Sequence, residues 1–136
     1  RVTVDSNVVV SAFLWGGVPR RVMDYARDGA INIFTSPQLI DELRGVLSRE
    51  RFESRLNEVG SSVAEIIDQI GTAIVVEAPE IDPVITRDPD DDAVLACAIA
   101  SESDVIVSGD LDLLNLRQYG DIRIMKAADL VYEIGP

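Results

Sequence analysis

The chain has 136 residues, 47% of them hydrophobic and 26% charged, a formal net charge of −12, one cysteine and no histidine. That profile fits one globular domain over residues 1–136, and no apolar run reaches the roughly 18–20 residues of a membrane span. Without His there is no Ser-His-Asp or Cys-His catalysis and no His-based zinc site; with a single lysine, Lys126, there is no GxxxxGK phosphate loop. The negative charge argues against simple electrostatic binding of nucleic acid. Cys97, inside AVLACAIA, reads as a small buried hydrophobe. A lone cysteine excludes an internal disulfide, and with no signal-peptide pattern at the start the expected location is cytoplasmic.

In chain order, the β-branched alternation of residues 1–5 predicts a strand. Asp5-Ser6-Asn7 then break the valine run with side chains that cap helices, and a helix is expected over about 8–14. A second helix is expected at 19–28, opening on Pro19, and a strand at 31–35 (INIFT). Ser36 and Pro37 predict the cap and first residue of a helix over 37–49. The charged stretch 50–60 reads as a short surface helix or turn. A helix at 61–71, a strand at 73–77 (AIVVE), a helix at 90–102, strands at 104–108 (DVIVS) and 122–125 (IRIM), and a helix at 127–133 complete the pattern. Strands alternating with helices predict a mostly parallel sheet covered on both faces.

Acids fall at the junctions of these elements. Asp5 stands at the end of the first strand, where open α/β folds place their chemistry, although capping alone also explains it. In SPQLIDELRGVL, Leu39, Ile40, Leu43, Val46 and Leu47 form the apolar stripe. Asp41 points away from that stripe, whereas Glu42 lies at its edge, where an uncompensated carboxylate is costly. In RDPDDDAVLACAIA, Asp88 is a cap, Pro89 a first helical residue, and Asp90, Asp91 and Asp92 form the first turn. Acids there suit the helix dipole, but three in succession exceed what capping requires. Asp92 shares a side with Leu95, Ala96 and Ile99 and is taken as the inward acid, with Asp91 as second choice. In VIVSGDLDLL, Ser108-Gly109 permits a sharp turn that sets Asp110 beside Asp5 if their strands are neighbours. Asp112 is read as a helix cap.

Two carboxylates about 4 Å apart repel by about 4 kcal/mol at an effective dielectric of 20. A cluster at one sheet end therefore calls for a divalent cation, and oxygen ligands select Mg²⁺ or Mn²⁺. Such a site suits phosphodiester hydrolysis, with no His required.

The motifs VDSNVVVSAF, SPQLIDELRGVL, DPDDDAVLACAIA and VSGDLDLL, in that order, resemble the PIN (PilT N-terminus) domain family, in particular its branch of toxin components of prokaryotic toxin–antitoxin systems. The resemblance implies a three-layer α/β/α sandwich around a five-stranded parallel sheet and Mg²⁺- or Mn²⁺-dependent cleavage of single-stranded RNA. It carries the family's acids over to Asp5, Glu42, Asp92 and Asp110, the metal falling to Asp5, Asp92 and Asp110. Ser6 or Asn7 takes the supporting position beside the first Asp, and Asp91 remains open as the third ligand. RNA contacts are expected from Arg20, Arg21 and Arg87, followed by Arg44 and Arg117; Trp15 is the one candidate for base stacking, though such a residue more often packs in a core. The implied partners are RNA, a basic antitoxin and further copies of the chain. The competing reading is a PIN-like RNA- or partner-binding module without turnover. A receiver domain of the response-regulator kind also clusters acids at strand ends and wants a lysine such as Lys126, but VEAPE at 76–80 offers no phosphoacceptor Asp.

Overall fold

The structure is a computed structural model that describes residues 1–70, 73–77 and 89–135. Its centre is one sheet in the order β3-β2-β1-β4-β6-β5. The strands are β1 (Val2–Val4), β2 (Ile33–Thr35), β3 (Ile74–Val75), β4 (Val105–Val107), β5 (Gln118–Tyr119) and β6 (Ile122–Met125). Five of them run parallel; β5 is a two-residue antiparallel addition beside β6. The helices are α1 (Ser6–Trp15), α2 (Gly17–Arg27), α3 (Pro37–Leu47), α4 (Glu53–Glu58), α5 (Val63–Ile70), α6 (Pro89–Ala100), α7 (Leu111–Leu116) and α8 (Ala127–Ile134).

Period-two alternation along the central strands divides the core into two layers. Val2, Val4, Val105 and Val107 face one way and pack with Val9, Leu14, Val22, Leu47, Ile66 and Leu130, which places α1, α2, α3, α5 and α8 on that face. Ile106, Ile122 and Ile124 face the other way and pack with Val94, Leu95, Ala98 and Leu113 of α6 and α7. This is the expected α/β/α sandwich. Among the described residues, no helix is long and apolar enough to cross a membrane.

Local sequence explains the helix boundaries that matter for the site. Ser36 caps α3 through a hydrogen bond accepted from the Leu39 amide at 3.3 Å, and Pro37 opens the helix as expected. Gly16 (φ 74°) and Gly17 (φ 65°) both adopt the left-handed conformation that reverses the chain between α1 and α2. Leu39, Leu43, Val46, Leu47, Ile66 and Ile70, the aliphatic stripes of the α3–α5 hairpin, are buried in the chain's own core. Ile40, Val63 and Ile67 of the same hairpin are only partly buried. Cys97 is buried, as its apolar run predicts.

The order of strands fixes where a ligand fits. From β1 the sheet grows through β2 to β3 on one side and through β4 to β6 on the other. The switch lies between β1 and β4, and in open α/β sheets the crevice at the carboxyl ends of such a pair is the binding site.

Candidate metal centre

Asp5 follows the last residue of β1, and its backbone N–H donates to the Val107 carbonyl at 2.9 Å, so β1 and β4 end together. The Asp5 side chain is 3% exposed. Its Oδ2 accepts a hydrogen bond from the Ser108 hydroxyl at 2.8 Å, and that same hydroxyl oxygen accepts from the Asp110 amide at 3.0 Å. One buried serine thus joins the two strand ends. Burial raises the Asp5 carboxyl above its ordinary value of 3.8; the Ser108 hydrogen bond opposes the rise, and the neighbouring charge of Asp110 adds to it.

Two helix starts bring further acids to this edge. After β4, Ser108-Gly109 turns the chain, and Asp110 caps α7 by accepting from the Asp112 amide at 2.8 Å. Asp112 follows in the first turn of α7. From the other side, Asp90, Asp91 and Asp92 form the first turn of α6, and Asp91 is only 4% exposed. One carboxylate oxygen from each of Asp91, Asp110 and Asp112 lies within 4.8 Å of the other two. At that spacing each pair repels by roughly 3–4 kcal/mol at an effective dielectric of about 20. The helix dipoles of α6 and α7 return at most about 1 kcal/mol per acid at exposed sites. A carboxylate-only donor set of this spacing fits a hard divalent cation and is compatible with metal binding.

The acids expected from sequence divide between this group and its surroundings. Asp110 belongs to the group, and Asp5 adjoins it through Ser108. The third acid differs from the first choice: Asp91 enters the group, while Asp92 stays partly exposed and outside it. The expected inward stripe from Asp92 ends in Ile99, which is 44% exposed. The stripe from Asp91 runs through Val94, Leu95 and Ala98, all fully buried. A helix that is apolar on every side gives no sequence signal for that one-residue rotation. Glu42 is partly buried on α3 with its Oε2 sealed from solvent, and it too stands outside the group. Asp112 was read as a cap, but the cap is Asp110, and Asp112 contributes its carboxylate to the group. The D-x-D spacing at the start of a helix is the signal that could have pointed to it. Ser108 was read only as part of the turn, yet its hydroxyl holds the hydrogen bond to Asp5; the Ser6 hydroxyl instead donates to the Leu39 carbonyl at 3.4 Å.

Of these acids, Asp110 and Asp112 line a cleft of about 710 Å³, together with Asn7, Ser11, Val18, Ser108 and Lys126 among others. Asn7 is exposed within it. Lys126, the chain's only lysine, makes no ion pair among the described residues despite its acidic neighbours. Among the described residues, none of the expected RNA-contacting arginines is in the lining of this cleft. Arg20 pairs with Asp24 at 3.6 Å, covers the Phe13 ring and lines a separate 310 Å³ cavity at the amino ends of β2 and β3. Because the strands are parallel, that cavity lies at the opposite edge of the sheet from the acids. Arg21 is exposed, and Arg87 lies outside the described residues. Arg44 pairs with Asp41 at 3.0 Å.

A search of curated proteins finds no match. A family model described as the PIN domain matches residues 1–112, a span that runs from β1 to the first two residues of α7 and takes in every acid named above. With the parallel sheet, the strand-end acids and that match over most of its length, the chain belongs to the PIN domain family.

Proposed function

We propose that this PIN domain is a metal-dependent endoribonuclease that hydrolyses phosphodiester bonds of single-stranded RNA. The observation that carries the reading is the convergence of Asp91, Asp110 and Asp112 within 4.8 Å at the sheet's topological switch point, beside the buried Asp5. PIN domains are generally nucleases, and this donor set lacks the His and Cys that other metallohydrolase sites rely on. We assign Mg²⁺ or Mn²⁺ as the cofactor, with Asp91, Asp110 and Asp112 as direct holders and Asp92 as the neighbouring alternative to Asp91. A cation held there supplies the charge that acidifies a water molecule and stabilises the departing oxygen.

The protein's own groups then have distinct tasks. Asp5 adds negative potential at the strand ends, and Ser108 fixes its orientation while anchoring the Asp110 loop. Asn7, exposed in the cleft, is placed to orient a phosphate oxygen or water. Lys126 offsets the acidic surroundings for an incoming phosphate; the exposed Arg21 is kept as an outlying RNA contact. Glu42, partly buried on α3, is kept in this reading as a supporting acid on the strength of the motif resemblance alone.

Within this reading residues 1–136 act as one domain in the cytoplasm, as the toxin of a toxin–antitoxin pair. The resemblance of the four motifs to that branch of the family supports the role. A basic antitoxin segment laid across the acids would neutralise them and exclude the cation. Self-association through the α3–α5 hairpin belongs to the same reading, with the partly buried Ile40, Val63 and Ile67 offered to a second copy; α8 also exposes Tyr132 and Ile134.

Purified protein is expected to cleave unstructured RNA with Mg²⁺ or Mn²⁺ and to lose that activity with EDTA, recovering it when the ion is restored. Product sizing by gel on a panel of single-stranded and duplex RNAs checks this. Cleavage that persists in EDTA overturns the reading, and so does binding without cleavage across the panel, which is the behaviour of a module without turnover.

A further inference from the structure

The chain contains one tryptophan, and it does not pack in a core: Trp15 is 57% exposed at the end of α1. The neighbours of that indole hold it in place without covering it. The Phe52 ring meets it edge-on at 5.9 Å between centroids, and the Arg55 guanidinium lies 5.7 Å from its ring centre. Arg55 is itself anchored, since its Nε donates to the Leu14 carbonyl at 2.6 Å and its Nη1 pairs with Glu58 at 2.9 Å. Arg51 stands 4.8 Å over the Phe52 ring next to it. An exposed indole framed by guanidinium groups is the arrangement that nucleobases stack upon, and it is scarce on a surface with a net charge of −12.

The position of Trp15 ties it to the acid cleft. Most of α1 is buried; its outward positions run Asn7, Ser11 and Trp15, four residues apart and so along one inclined stripe. Asn7 and Ser11 line the cleft. Trp15 continues their stripe about 12 Å from Asn7 along the helix axis. Across the Gly16-Gly17 reversal, Val18, 40% exposed, returns to the cleft wall. Both routes along the chain lead from the acids to the indole.

We infer that Trp15 is a base-stacking platform for single-stranded RNA, holding a nucleotide that flanks the bond positioned at the acid group, while the anchored Arg55 orients the indole and Arg51 offsets an adjoining phosphate. The inference rests on the ribonuclease reading. A duplex keeps its bases stacked on one another, so the platform selects unpaired strands and orders the RNA ahead of chemistry, contributing to binding and not to turnover.

Because Trp15 is the only tryptophan, its emission reports contact directly and without catalysis. The full chain in EDTA is titrated with an unstructured oligoribonucleotide, with the same strand carrying abasic sites, and with its duplex. The intact single strand is expected to quench and shift the emission saturably; the abasic strand and the duplex are expected to leave it almost unchanged. Anisotropy of labelled strand on Trp15→Ala is expected to show roughly tenfold or weaker binding. KM for metal-dependent cleavage rises by a similar factor with kcat retained, and Trp15→Phe restores most of both. Circular dichroism of each variant checks folding, and the emission titration of the unaltered chain carries the test should the alanine variant unfold. Quenching without cleavage by any metal sinks the nuclease reading and leaves the platform standing. Normal cleavage with silent emission and an unchanged KM for Trp15→Ala overturns the platform and leaves the nuclease. Failure of any strand to bind in EDTA also overturns it.

Discussion

Asp110→Asn protein is expected to lose metal-dependent RNA cleavage by at least about two orders of magnitude while folding normally. Asn is close in shape to Asp, and its side-chain oxygen still accepts from the Asp112 amide that Asp110 caps. What disappears is one of three charges within 4.8 Å, and with it much of the attraction for a divalent cation. Losing a support residue around a metal already costs roughly 10–100-fold, and a direct ligand costs more. Asp91→Asn is expected to match that loss, since Asp91 is buried within the group. Asp92→Asn serves as the control: partly exposed and outside the group, it is expected to lose less than about tenfold. Single-turnover cleavage at saturating Mn²⁺ measures all three, and a larger loss for Asp92→Asn than for Asp91→Asn would return the third position to the acid first read from the sequence.

The difference between those two neighbours shows where reading a sequence runs out. Elements with strong periodicity were legible: the valine run of β1, the Ser36-Pro37 start of α3 and the five parallel strands all stand as their patterns predict. The position of Asp5 and Asp110 at the ends of β1 and β4 was legible too, since each follows a β-branched strand, although a helix cap explains an acid there equally well. Rotation about α6 was not, since AVLACAIA buries nearly every side and carries no moment to fix which Asp turns inward. The short elements α7 and β5 fall below the length at which periodicity speaks, although LDLL carried a cap signal, whereas the charged stretch 50–60 does hold the short helix α4 it suggested. The exposure of Trp15 was hidden for a different reason. A tryptophan amid apolar residues packs inside more often than not, and only the glycine pair after it leaves the indole at a helix end.

The second large effect concerns stability. Without a divalent cation, the thermal stability of the protein is expected to fall as pH rises, relative to Asp5→Asn. Burial, and then the charge of Asp110, raise the native Asp5 carboxyl above 3.8 against the pull of Ser108. The native state therefore holds its proton where the unfolded chain has released it. Below 3.8 the contribution of Asp5 is fully present; it is lost as pH rises through the raised native value and stays lost above it. Each pH unit by which the native group titrates late costs about 1.4 kcal/mol at neutral pH. In Asn the titration is gone, so the difference between the two proteins opens across that window and then levels. Mg²⁺ reverses the loss, because a cation at about 100 times its Kd adds about 2.7 kcal/mol, or several degrees in Tm for a chain of this size. Melting curves in EDTA and in excess Mg²⁺, collected from about pH 4 to about pH 8, measure both halves. Parallel curves for the two proteins at every pH would mean that Asp5 titrates as an ordinary carboxylate.

The central claim is that these carboxylates hold a divalent cation at the carboxyl edge of the sheet, and anomalous diffraction from crystals grown with Mn²⁺ tests it most directly. The account predicts an anomalous peak within coordination distance of Asp91 and Asp110, with Asp112 bound directly or through water, and no such peak in Asp110→Asn. A peak that lies elsewhere on the chain, or an empty site at millimolar Mn²⁺, would contradict it.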